Sequence, residues 1–128
     1  MTKTTSTTNC ADNNCPIHHG LKTHGRLFRG TVIEAKAGKT ATVLWQRKAF
    51  LPKYDRYETR RTTMHTHNPE CISAKKGDIV ALTECKPISK TKHFVITEKI
   101  GSDYAYLARE ELLIQAEAPK PKTEEETK

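Results

Sequence analysis

The sequence predicts an all-β fold: a five-stranded OB-type barrel with a short C-terminal α-helix and disordered termini. Three observations predict it. Five short segments rich in β-branched and aromatic residues follow one another between turn-forming Gly and Pro. No long helical pattern separates them. A few short strands protect their edges best by closing on themselves, and an OB-type barrel is a five-stranded way to do so.

Residues 1–9 are mostly Thr, Ser, Lys and Asn and should form a disordered tail. Residues 10–24 are a lead-in holding two cysteines and three histidines among loop formers. The barrel is expected over residues 25–102. Arg26 to Ala37 is rich in Leu, Phe, Val, Ile and Thr, which suits a strand. Ala37-Gly38-Lys39 reads as a tight connection, with Gly38 supplying a positive φ. From Thr40 to Arg47, Ala41, Val43 and Trp45 alternate with Thr42, Leu44 and Gln46, the pattern of a hairpin partner. Pro52 interrupts it. Residues 53–70 are polar, a loop leading into a third strand near Tyr57–His65. Arg60, Arg61, Thr62 and Thr63 cannot be core on both faces, so this strand belongs at an edge or beneath RNA. Gly77-Asp78 is a turn, Ile79 to Cys85 a fourth strand ended by Pro87, and His93 to Ile100 a fifth. Ser102 or Asp103 can cap a helix over 103–118, with Tyr104, Leu107, Ala108 and Leu112 as its packing stripe. Pro119 and Pro121 stop it, and 119–128 is a charged tail.

The charge is unevenly placed. The chain of 128 residues carries a net +7. Residues 25–102 hold sixteen Lys or Arg against seven Asp or Glu, a net +9, whereas residues 103–128 hold four against seven, a net −3. A basic field confined to the predicted barrel points to nucleic acid. No run approaches the roughly 20 apolar residues of a membrane span. No secretory leader is visible either, so the cytosol, with reduced cysteines, is the expected compartment.

Three constellations carry chemistry. The first spans Arg47 to His65: Arg47, Lys48, Lys53, Arg56, Arg60, Arg61 and His65, interleaved with Phe50, Tyr54 and Tyr57. Such cations neutralise phosphates, and tyrosines stack on unpaired bases or ribose. A solvated edge strand is the plain alternative. The second is the loop from Lys86 to His93, where Ser89, Lys90, Thr91 and Lys92 offer hydroxyls and ammonium groups on a rigid support. An ordinary soluble hairpin would look similar.

The third is a Cys/His set: Cys10, Cys15, His18, His19, His65, His67 and Cys71. A structural zinc held by Cys10, Cys15, His18 or His19, and Cys71 would pin the lead-in onto the barrel. Free thiols and RNA-facing histidines are the other reading. Cys85 lies within strand patterning and reads as core. Phosphate-binding loops, dinucleotide fingerprints and H-E-x-x-H are absent, and the acidic residues form no acid–base pair. No enzyme is expected, and no cofactor is required beyond that candidate zinc.

A resemblance adds to this reading. Gly77 to Val95, G-D-I-V-A-L-T-E-C-K-P-I-S-K-T-K-H-F-V, resembles the signature of the seventeenth small-subunit ribosomal protein family. Leu51 to Arg61, L-P-K-Y-D-R-Y-E-T-R-R, is similar to the basic loop of its archaeal and eukaryotic branch. Gly30-Thr31-Val32 through Lys39 to Val43 matches the first hairpin, and Cys15-Pro-Ile-His-His-Gly resembles the archaeal lead-in. Lys86 and Ile88 depart mildly from the usual arginine and leucine. The resemblance covers about residues 10–100. It implies an OB-type barrel that binds the 5′ domain of small-subunit ribosomal RNA and supports assembly and translation. It implies RNA contacts at Lys39 and Thr40, at Lys53, Tyr54, Arg56, Tyr57, Arg60 and Arg61, and at Ser89, Lys90, Thr91 and Lys92.

The expected partners are therefore small-subunit ribosomal RNA and neighbouring ribosomal proteins, in the cytoplasm, with no membrane and no small-molecule substrate. A non-ribosomal OB-fold RNA-binding factor is the alternative, and a zinc-dependent regulatory or hydrolytic domain the third class.

Overall fold

A computed structural model describes residues 10–117, and the tails expected at 1–9 and 119–128 lie outside the described residues. Five strands are present: β1 (Thr23–Glu34), β2 (Thr40–Leu51), β3 (Arg56–His67), β4 (Asp78–Cys85) and β5 (Phe94–Ser102). They close into an OB-type barrel in the order β1-β2-β3-β5-β4, followed by α1 (Tyr104–Glu117). Closure comes from one short parallel pairing, Thr66↔Phe94 and His67↔Val95; the other ladders are antiparallel.

Period-two alternation fills the interior. Val32, Ala41, Val43, Val80, Leu82, Phe94 and Ile96 are buried together, with Ala74 from the β3–β4 connection. Each large aliphatic side chain so removed from water contributes about 1.5–3 kcal/mol before conformational entropy is charged against it. Phe28 covers one side of this cluster, stacked on Trp45 with centroids 4.9 Å apart and tilted against Phe94 at 5.8 Å. Cys85 is buried with Leu21 and Val95 in a second cluster, as core patterning predicts.

Strand β1 changes partner along its length, pairing with β4 from Thr23 to Thr31 and with β2 from Thr31 to Glu34. Gly30 stands at the crossover, where a Cβ would come within 2.6 Å of the Leu44 carbonyl oxygen. Only glycine admits that approach.

β2 and β3 pair without interruption from Thr40↔His67 to Leu51↔Arg56. No residue from Leu44 to His65 is fully buried, so the hairpin runs past the barrel as a two-stranded arm. Both strands exceed the expected 40–47 and 57–65: Lys48–Leu51 and Arg56 pair within the hairpin beyond the core, and Thr66 and His67 are buried where β3 meets β5. Arg56–His65 has no strand on its second side, which agrees with the edge expected for β3.

Two local expectations are corrected. The positive φ of the β1–β2 turn belongs to Lys39 (φ 53), not Gly38. The Lys39 carbonyl accepts the Asn68 amide at 3.1 Å and its ammonium pairs with Glu70 at 3.2 Å, contacts that reward the left-handed backbone at this residue. The helix stripe is also rotated. Asp103 is the cap, its Oδ1 accepting the Tyr106 amide at 3.0 Å, while Ser102 donates to Asp78. Asp103 is itself fixed by Thr31, and Tyr106, Leu107 and Glu110 then face the barrel. Tyr104, Ala108 and Leu112 are exposed, and Leu107 alone of the expected stripe packs.

Candidate nucleic-acid interface and cysteine–histidine cluster

The register of the arm sorts its side chains onto two faces. Gln46, Lys48 and Phe50 share one with Tyr57, Thr59 and Arg61; Arg47, Ala49 and Leu51 share the other with Arg56, Glu58 and Arg60. The sequence-predicted cations are thus divided, Lys48 and Arg61 from Arg47, Arg56 and Arg60. Phe50 and Tyr57 lie face-side neighbours at 5.2 Å, 48% and 72% exposed, beside Lys48 and Arg61. Aromatic rings left in solvent among cations form a surface suited to bases and phosphates. At the tip, Lys53 sits 5.4 Å over the Tyr54 ring, and Asp55 takes φ 50 to close the turn. Arg60 is paired with Glu58 and Arg47 donates to Thr62 at 3.2 Å, so these two guanidinium groups are partly engaged within the arm.

The two loops lie far apart in sequence but form one surface. The Lys92 ammonium donates to the Thr40 hydroxyl oxygen at 3.0 Å. The Ser89 hydroxyl oxygen accepts the amides of Thr91 and Lys92 at 3.4 and 3.1 Å and so shapes its loop. Lys90 and Thr91 are left exposed. A shallow groove of about 400 Å³ between the loops is lined by Lys36, Thr40, Thr42, His65, Thr91 and Lys92, with Glu34 on its rim paired to Lys36. Three lysines outside the sequence-predicted set also border grooves here: Lys36, paired with Glu34, and Lys75 and Lys76 beside Lys39 in a second groove, Lys76 being paired with Glu110; the Lys75-Lys76 doublet before Gly77 is their signal in the sequence.

The Cys/His set is partly gathered. One ligand atom from each of Cys10, Cys15, His18 and Cys71 lies within 4.8 Å of the others. Cys15 Sγ is 3.4 Å from Cys71 Sγ and 3.5 Å from His18 Nδ1. All four cysteines of the chain are free. Two thiolates on a tetrahedral zinc stand about 3.8 Å apart at Zn–S of about 2.3 Å, so the donor set and its spacing fit that ion. Burial pushes the Cys15 thiol up, but the His18 amide and imidazole, the Ile17 amide and Cys71 overcome it and bring it down to about 7. Burial and the neighbouring Cys15 push Cys71 up to about 12. Cys15 is therefore the first of the pair to ionise.

The two adjacent histidines take different partners. His19 Nε2 bonds the Cys10 carbonyl at 2.8 Å, which leaves His18 as the member turned to the thiols. His65 bonds Thr42, and His67 is buried against Asp12 at 2.6 Å, so neither joins the cluster. Asp12 accepts the Asn14 amide as well, which makes this carboxylate a second anchor of the lead-in. The Nδ1 atom of His67 is buried without a partner among the described residues.

Among the described residues no helix is long and apolar enough to cross a membrane. A family model described as ribosomal protein S17 matches residues 30–98. The small ribosomal subunit protein uS17 of Archaeoglobus fulgidus is 48% identical over 94 residues, spanning 73% of this chain and 84% of that protein. Its counterpart from Methanocaldococcus jannaschii is 48% identical over 92 residues, 72% of this chain and 79% of that protein. That from Methanococcus vannielii is 46% identical over 90 residues, 70% and 83%.

Proposed function

Because the chain belongs to the ribosomal protein S17 family, a structural constituent of the small ribosomal subunit, we propose that its arm and paired loops bind small-subunit ribosomal RNA. The family membership also sets aside the non-ribosomal alternative. The RNA proposed is the 5′ domain, and the place of action the ribosome in the cytoplasm.

One observation carries the reading. The β2–β3 arm leaves the barrel with Lys48, Phe50, Tyr57 and Arg61 on one exposed face and no core of its own to serve. A two-stranded ribbon is marginal in water and gains from a partner along it. Phosphate contacts from Lys39, Arg47, Lys48, Lys53, Arg56, Arg60, Arg61, Lys90 and Lys92 would position the protein, with Thr40, Tyr54, Tyr57, Ser89 and Thr91 completing contacts to ribose and unpaired bases. The role is structural and non-catalytic, acting where RNA strands converge, beside neighbouring ribosomal proteins.

The reading includes a structural zinc at Cys10, Cys15, His18 and Cys71. Bound there, the ion would neutralise the thiolates and tie the lead-in before β1 to the connection before β4, leaving β1 to β5 as the RNA-binding barrel and α1 as an appended helix. No catalytic cofactor is called for.

Sedimentation of tagged protein from lysate tests the assignment. Cofractionation with the small subunit through a high-salt wash is expected. Recovery in the light fractions would overturn it.

A further inference from the structure

The stripe by which α1 seats on the barrel continues past the point where the barrel ends. Tyr106, Leu107 and Glu110 are half-buried, Leu107 lying against Gly77 and Glu110 pairing with Lys76. The next residues at helical spacing are Leu113 and Ile114, 59% and 63% exposed, with Leu112 beside them at 66%. Consecutive helical side chains point about 100° apart. Leu113 turns toward β2, at the mouth of a groove shared with Leu44, Trp45 and Arg61. Leu112 and Ile114 stand clear of it, so no single face of this barrel can cover all three.

Charge indicates what does. Residues 25–102 carry a net +9, whereas residues 103–128 carry a net −3, and on α1 Glu111 is exposed while Glu110 is engaged by Lys76. Phosphate is repelled by so acidic a segment, and branched aliphatic side chains give bases no planar ring to stack on. An apolar protein pocket rimmed by cations complements both the leucines and the acidic segment that carries Glu111.

We infer that the end of α1, centred on Leu112, Leu113 and Ile114, docks into an apolar pocket bordered by Lys or Arg on a neighbouring protein of the small subunit. This rests on the small-subunit reading.

Full-length protein carrying the photo-crosslinker p-benzoylphenylalanine at position 112 is assembled into small subunits from ribosomal RNA and the complete protein set. The expected product is a crosslink to one small-subunit protein, within a peptide that combines apolar residues with Lys or Arg. The combined variant Leu113→Glu, Ile114→Glu should reduce it at least tenfold, and Glu111→Lys severalfold, with the thermal midpoint of the free protein unchanged because these side chains are exposed. Incorporation with no crosslink, or with a crosslink to RNA or to a second copy, overturns this inference alone. Exclusion of the protein from the subunits overturns the small-subunit reading and this inference with it.

Discussion

Lys92 and Thr40 are joined by a 3.0 Å hydrogen bond from the ammonium to the hydroxyl across 52 residues of sequence. Neither side chain is fully buried, so the bond is accessible to a phosphate arriving between the two loops. Lys92 is thereby held in place, which would lower the side-chain entropy lost in the proposed RNA contact.

A double-mutant cycle with Lys92→Met and Thr40→Val should expose that link. Each single variant is expected to weaken RNA binding, and the pair to weaken it by less than the sum, with a coupling on the order of 0.5 kcal/mol. Strict additivity in the measured Kd would mean that the two loops act separately.

Arg60 and Arg61 should differ although they are adjacent. Arg60 is held by Glu58, whereas Arg61 shares the aromatic face with Lys48. Arg61→Ala should cost more affinity than Arg60→Ala and reduce the slope of log K against log salt by about 0.7–0.9. Replacing both should flatten the slope further. An unchanged slope in the double variant would remove both residues from the phosphate contacts.

Zinc content should discriminate the paired histidines. Mass spectrometry under native conditions is expected to find one zinc per chain, retained in His19→Ala and lost in His18→Ala and Cys71→Ser. Retention in His18→Ala would refute the ligand assignment.

Removing the clip should also be felt at the RNA surface. Cys71 follows Glu70, which pairs with Lys39, and the Asn68 amide holds the Lys39 carbonyl. Cys71→Ser is expected to weaken RNA binding by about threefold to tenfold, or about 0.7–1.4 kcal/mol, with the salt slope unchanged. An unaltered Kd would show that the Lys39 turn stands without the metal.

Acid should loosen the fold at two buried carboxylates. Burial opposes ionisation of Asp12, but the Asn14 amide and His67 outweigh it; at Asp78 Lys99 and the Lys75 amide do the same. Both folded pKa values are therefore depressed. Their stabilisation is fully present above the unfolded carboxylate pKa of about 3.9 and is lost as pH falls through the folded values. The thermal midpoint should drop below about pH 4, and Asp78→Asn should blunt the drop. A midpoint equally pH-dependent in wild type and Asp78→Asn would contradict this at Asp78.

The barrel was legible in the sequence because its strands alternate. Ala41, Val43 and Trp45 against Thr42, Leu44 and Gln46 define a buried face without reference to any other segment. The cation-rich stretch from Arg47 to Arg61 was equally visible as composition. Its division into two faces was not, since that depends on the pairing of β2 with β3. The helix could be placed but its packed side could not, because Tyr104–Leu112 and Tyr106–Glu110 are both admissible stripes until Asp103 and Gly77 fix its rotation.

Residue type and local spacing thus determined a basic five-stranded barrel and a short roll of candidate ligands. Only the tertiary structure joined Thr40 to Lys92, set Cys71 beside Cys15, and turned His18 rather than His19 toward the thiols. The physical reason is range: alternation and turn propensity act over a few residues, whereas a phosphate seat or a tetrahedral ligand set is built from side chains that meet only after the chain has closed on itself.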